Sequence, residues 1–302
     1  FNKPIIDPEL GQCAVTILFF TLISTKKRLY LFIKTPDINS LSKFIFLFTM
    51  KKANNKKINA AILIIGNEIL SGRTQDLNVS FLAKWLNAEC GISVEEVRVI
   101  PDNGKKIANN ILDLRKNFKY IFTTGGIGPT HDDITAQSVA KAFNVKYEFH
   151  KEAYSILEKY YGKKYFNPGR KKMAKMPRGS SLIYNPSSAA PGFIIKNVIC
   201  LPGVPSILIS MIDNVKKYLV KGTTIISNTI SLHAVESDVS VELSKIQKKY
   251  LKKVEIGSYP FFRLGKIGVS LVLRSSNKSM MSLCSLDIKK IIKKKKIKVF
   301  KK

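Results

Sequence analysis

The chain has 302 residues, 45% hydrophobic and 24% charged, enough to bury a sizeable core and too apolar for wholesale disorder. Its net charge of +30 raises nucleic acid as a partner, but only eight of the 51 cationic side chains are arginine, and the lysines are spread among many Asn and Ile. That pattern argues against a selected nucleic-acid stripe and leaves a nucleic-acid-associated protein as a minor alternative, while four scattered cysteines and three scattered histidines argue against a zinc centre or disulfide framework and fit a reducing, cytoplasmic setting.

Residues 1–49 differ from the rest. Apolar runs at 15–23 and 44–48 flank the cluster Lys26, Lys27, Arg28, and neither reaches the roughly 18 apolar residues that span a bilayer. No small-residue cleavage site follows the first run, so neither a membrane span nor a signal peptide is expected. Met50 opens a lysine-rich lead, and the expectation is that the chain proper starts there, with 1–57 an extension outside the fold; a targeting or anchoring extension is the alternative.

From residue 58 the periodicity is regular. Residues 58–66 form a continuous apolar run closed by Gly66, as in a strand buried on both faces. Residues 76–89 place Leu77, Phe81, Leu82, Trp85 and Leu86 at helical spacing, and Gly91 stops them. A strand at 92–100, a helix at 103–114, a strand at 119–124 and a helix at 132–143 follow. Alternating strands and helices with short connections predict a parallel sheet whose ligands sit at the carboxyl ends of the strands. Helices at 151–161 and 170–176, short strands at 181–184, 192–195 and 198–201, and a helix ending near Leu219 complete a domain over 58–221. Residues 222–302 read as a small α+β lobe: a strand at 223–233, a helix at 236–250, strands at 254–259 and 266–273, and a helix at 280–292. The lysine-rich tail, 289–302, is expected to be solvated.

The strongest signal is 123–135, TTGGIGPTHDDIT. A strand ending in Thr124, Gly125, Gly126 and Gly128 clusters backbone N–H groups, and glycine lets an anion approach without a Cβ in the way. The following helix adds its dipole. Asp132 and Asp133 can cap that helix, or hold a divalent cation opposite a phosphate. Glu68, just after Gly66, can ligate metal or contact a ribose; Asp102 can do the same or cap the helix at 103–114. His131, Asn78 and Ser71 are weaker candidates, while Trp85, Cys90 and Cys200 read as core.

The loop resembles the signature of the MoaB/Mog molybdopterin-binding superfamily, and its GPTxDDxT form is similar to the amino-terminal domain of CinA-like proteins and to the corresponding domain of FAD synthases. ILIIGNEILSGRTQDLNVSFLAKWL resembles the family's opening, with Gly66, Glu68, Gly72 and Asn78 in place. Val99, Ile100, Pro101 and Asp102 resemble its second strand end. Asn185 and Pro186, Ala190 to Phe193, and Leu201 to Pro205 resemble two loops that close over the site; GSYPFF at 257–262 extends the likeness into the lobe. Such members usually carry Gly-Thr where this chain has Ser188 and Ala189, and Glu where it has Ile207. The amidohydrolase domain of full CinA proteins has no counterpart in the sequence, so deamidation is not expected.

The resemblance implies an α/β, three-layer Mog-like fold with a mostly parallel sheet plus a small α+β lobe. It implies a pyrophosphate-containing ligand, molybdopterin or an adenine dinucleotide such as FAD or ADP-ribose. Thr124, Gly125, Gly126, Gly128, Thr130, Pro202 and Gly203 would contact its phosphates. Mg²⁺ or a similar divalent metal would sit on Asp132, Asp133 and Glu68, with Asp102 and Asp133 catalytic. The implied activity is nucleotide pyrophosphatase; adenylyl transfer in molybdenum cofactor synthesis and a non-catalytic binding module are the alternatives. Homo-oligomers are common in this family.

Overall fold

The structure is a computed structural model that describes residues 21–25, 28–32 and 58–300 apart from 264. It divides into two compact units, Phe1–Lys56 and Lys57–Lys302. In the first, strands β1 (Thr21–Thr25) and β2 (Arg28–Phe32) pair antiparallel, with Thr21 opposite Phe32. The start expected at Met50 lies outside the described residues.

The second unit opens with β3 (Asn59–Ile65), buried at every position but Asn59, as the unbroken apolar run requires. A short helix α1 (Asn67–Leu70) follows. Helix α2 (Asn78–Trp85) continues as a π-helical turn over Leu86–Cys90 and stops at Gly91 in the left-handed region (φ 65°). Strand β4 (Ser93–Ile100), at the sheet edge, is buried only at its two ends and alternates half-buried and exposed positions between them. Then come α3 (Gly104–Asn117), β5 (Tyr120–Thr124), α4 (Thr135–Ala142), β6 (Tyr147–Phe149), α5 (Lys151–Tyr161), α6 (Pro168–Lys172), β7 (Lys175–Pro177), β8 (Ser181–Ile183), β9 (Gly192–Ile195), β10 (Val198–Leu201) and α7 (Pro205–Lys216).

The main sheet has the order β4-β3-β5-β10-β9-β8. Its first four strands are parallel, and β9 and β8 are antiparallel additions. Alternate residues of β3 feed opposite cores: Ala61, Leu63 and Ile65 pack with α3, α4 and α5, while Ala60, Ile62 and Ile64 pack with α2 and α7. This is the three-layer architecture expected. The register brings the carboxyl ends of four strands level: Ile65 pairs with Ile100, Ile64 with Thr124, and Leu201 with Thr124. The four chain segments leaving those ends therefore meet at one edge of the sheet. Cys200, enclosed in this core, has its thiol pushed up to about 12 by burial.

The lobe consists of β11 (Ile226–Leu232), α8 (Ser240–Lys249), β12 (Glu255–Arg263), β13 (Lys266–Ser275) and α9 (Lys278–Lys294). Its antiparallel sheet has the order β11-β13-β12 and a core of its own, including Leu232, Ile246, Leu271 and Ile288. The lobe joins the larger domain where the Gly222 amide donates to the Cys90 carbonyl at 2.8 Å. No helix among the described residues is long and apolar enough to cross a membrane.

Three sequence expectations need correction. The helix after the glycine loop starts at Thr135, so Asp132 and Asp133 lie in the turn before it and cap nothing. Residues 175–177, assigned to a helix end, form β7 because β6 offers them an antiparallel partner. The tail is not solvated throughout: α9 buries Ile292, Val299 bridges to Leu232, and the Phe300 ring stacks on His233 at 3.3 Å.

Candidate active site

The chain turns out of β5 directly into Gly125 (φ 96°) and Gly126 (φ 68°). Both lie in the left-handed region that side chains disfavour. Space excludes a side chain as well, since a Cβ on Gly125 would enter the Ile65 carbonyl and one on Gly126 would enter the Thr135 hydroxyl. Thr135 holds the loop at both turns: its hydroxyl donates to the Gly125 carbonyl at 3.0 Å and its amide to the Gly126 carbonyl at 2.9 Å. With the carbonyls turned inward, the N–H groups of Gly126, Ile127 and Gly128 find no protein acceptor among the described residues. Gly125 differs, because its N–H donates to the Leu201 carbonyl at 3.1 Å. The expectation that Gly125 offers a phosphate donor is therefore corrected: it sets the turn and has no donor to spare.

These residues line a cleft of about 620 Å³ at the carboxyl edge of the sheet. Of the residues singled out from the sequence, Glu68, Asp102, Gly125, Gly126, Gly128, Thr130, Asp132, Asp133, Pro202 and Gly203 all line it. Thr124 does not; it is 1% exposed, beneath the loop, and its expected contact with phosphate is corrected to a supporting place in the sheet. His131 is exposed and outside the lining. Beside the glycine loop, where a Cβ on Gly203 would lie 3.3 Å from the Gly125 Cα, Pro202 to Pro205 lead into α7, whose first turn leaves unpaired N–H groups beside the cleft. Asn78, buried at the start of α2, donates to the Gly203 carbonyl at 2.7 Å and ties that segment down.

Asp102 and Asp133 are already placed by the backbone around them. Asp102 accepts the Asn67 amide at 2.9 Å, joining the end of β4 to α1, while the neighbouring Asn103 caps α3. Asp133 accepts both the amide (2.8 Å) and the hydroxyl (2.5 Å) of Thr130, closing the turn after the glycines. The Asp132 carboxyl is held below the usual range by the Thr130 side chain beside it and then by its own backbone amide, with His131 and Lys172 adding positive charge. Among the described residues no three His, Cys, Asp or Glu side chains converge on one point. The expected metal set of Glu68, Asp132 and Asp133 is thus not a closed cage. The donors still suit a hard cation that takes one or two carboxylates and fills its remaining positions from substrate phosphate and water, the habit of Mg²⁺.

Sequence reasoning missed several lining residues. Tyr161 and Met173 belong to no motif: they come from the end of α5 and the turn after α6, outside the glycine loop, while Thr74 lies within the opening segment with no role of its own read from it. Lys172, next to Met173, donates its ammonium to the Thr130 carbonyl, strapping α6 to the glycine loop. Asn185 donates to the Ser188 hydroxyl (2.7 Å) and the Ala190 carbonyl (2.9 Å) and accepts two amides, fixing a loop in which Ala189 has φ 58°. Ile207 places an aliphatic side chain in the lining.

Comparison with known proteins agrees with this architecture. Residues 61–221 match the family model described as a probable molybdopterin binding domain, and residues 224–301 match the FAD synthase middle domain. A protein from Archaeoglobus fulgidus is 34% identical over 66% of this chain and 84% of its own length. A CinA-like protein from Prochlorococcus marinus is 30% identical over 77% of this chain, and a probable FAD synthase from Caenorhabditis briggsae is 26% identical over 82% of it. The matched spans are 56% and 52% of those two relatives, so this chain corresponds to about half of each. The crystal structure of CinA from Thermoplasma acidophilum, a protein of unknown function, superposes with a TM-score of 0.52 at 33% identity, over 54% of this chain and 99% of that one. The chain belongs to the MoaB/Mog-type molybdopterin-binding domain family, with CinA-like proteins among its relatives.

Proposed function

We propose that the cleft binds a pyrophosphate-containing nucleotide and hydrolyses its phosphoanhydride, as in cleavage of ADP-ribose or FAD to AMP, with a divalent cation bound alongside. One observation carries this reading: three successive N–H groups, those of Gly126, Ile127 and Gly128, are without protein acceptors in the wall of a cleft that also holds Glu68, Asp102, Asp132 and Asp133. Uncommitted donors in such a turn suit anionic oxygens. The first turn of α7 adds donors and the positive end of its dipole beside the same cleft. Likeness to CinA-like and FAD synthase relatives supports a nucleotide-related role.

In this scheme Gly126, Ile127 and Gly128 hold the non-bridging oxygens of one phosphate. Asp102, with one oxygen committed to Asn67, uses the other to orient water and take its proton. Water adds to phosphorus, the bridging P–O bond breaks, and AMP leaves with the second phosphate on the other product. Asp132, Asp133 and Glu68 would hold the divalent ion; when bound, it would withdraw negative charge from the phosphoryl group.

A second reading, a module that binds such ligands without turnover, is favoured by Ile207 in the lining and by the absence of three converging acidic groups among the described residues. Incubation of the full chain with ADP-ribose, FAD or NAD and Mg²⁺, followed by chromatography for AMP, separates the two. AMP from at least one substrate, abolished by EDTA, supports hydrolysis. Binding without AMP supports the module. Transfer of an adenylyl group to molybdopterin would show instead as an adenylylated pterin formed in place of free AMP, and only when pterin is added.

A further inference from the structure

The polar groups of the cleft account for a phosphate and say nothing about the rest of a ligand. Tyr161 is the one aromatic ring among the described lining residues. It ends α5, half-buried, with the Arg170 guanidinium 4.1 Å over its ring and Tyr160 edge-on at 4.9 Å. Arg170 is held in turn, donating to the Tyr165 carbonyl at 2.5 Å while its amide donates to Asn167 at 3.0 Å. The flexible thioether of Met173 lines the same cleft, as do the apolar Ile127 and Pro129 of the glycine loop. This platform is fixed relative to the phosphate loop: Lys172 donates to the Thr130 carbonyl, and the backbone of α6 approaches so closely that a Cβ on Gly169 would lie 3.1 Å from the Pro129 carbonyl.

We infer that Tyr161, backed by Arg170, is a ring subsite that stacks the planar heteroaromatic group of the ligand (adenine, flavin or pterin) while its phosphate rests on Gly126, Ile127 and Gly128. This rests on the phosphate reading of the cleft and extends it from the phosphate to the ring. Stacking tolerates any flat ring, because every such ring has a π-face. Selectivity here is therefore for a planar ring joined to a phosphate rather than for one base.

Calorimetric titration of the full chain, with EDTA present so that nothing turns over, tests the subsite. The probes are inorganic pyrophosphate, ADP-ribose and FAD, the last two separating adenine alone from adenine with flavin. Tyr161→Ala is expected to weaken ADP-ribose or FAD about tenfold or more, within the range for losing one stacked base, and to leave pyrophosphate unchanged. Tyr161→Phe is expected to keep wild-type affinity. If Tyr161→Ala changes neither nucleotide, or weakens pyrophosphate equally, the subsite is overturned. If the wild type binds pyrophosphate as tightly as both nucleotides, the phosphate site stands and the ring subsite falls. If the wild type binds none of the three, both fall.

Discussion

The proposed donors depend on a turn that only a few atoms permit. Gly126 has φ 68° and its Cα faces the Thr135 hydroxyl, which is itself bonded to the Gly125 carbonyl. Gly126→Ala is therefore expected to lose about 1–2 kcal/mol from backbone conformation alone, read as a lower urea midpoint. Pyrophosphate affinity should fall about tenfold or more as the charge-assisted donors move out of line. A variant as stable and as avid as the wild type would show that the turn is not what presents the amides. The motif made the glycines legible in the sequence, but not their division of labour. Which amide is free depends on Leu201, 76 positions away, whose carbonyl occupies Gly125, and no local pattern encodes that.

Elements were legible in proportion to how strongly one force dictated them. β3 reads as an unbroken apolar run because both faces are covered, and α3 reads from Ile107, Ile111 and Leu114 on one stripe. β7 was illegible because its three residues depend on pairing with β6, a tertiary choice that local propensity does not register. The aromatic wall of the cleft was hidden for the same reason: Tyr161 looks like any residue ending an amphipathic helix until α6 folds back beside it. In the lobe, α8 and α9 are joined through Asp287, which accepts from Lys249 at 2.6 Å and Tyr250 at 2.9 Å. Lys249 and then Tyr250 hold its carboxyl below the usual range. A carboxyl lowered in the folded state stabilises above its unfolded value, near 3.9, and that contribution fades as pH falls through the folded value. Asp287→Asn should thus cost about 1 kcal/mol at neutral pH. Urea melts across pH should show the gap to wild type closing in acid; a gap independent of pH would mean that packing, not charge, is lost.

At the scale of the whole molecule, the charge of +30 and the cleft make separate demands. Lysines dispersed over the surface attract polyanions without reading them. Retention of DNA is expected to collapse between about 50 and about 200 mM salt with no base preference; binding that survives salt and discriminates sequences would require a nucleic-acid site that the lysine distribution does not suggest. The candidate site instead lies where four parallel strands end level. The register makes that edge, and segments from Gly66, Asp102, Gly125 and Pro202 supply it. The most direct test of a phosphate cradle there is to follow backbone amide resonances while ADP-ribose is titrated into the full chain. Gly126, Ile127 and Gly128 should shift strongly and saturate together, whereas Gly125, committed to Leu201, should move far less. Saturating shifts confined to other regions, with these three amides unmoved, would contradict the assignment of the cleft.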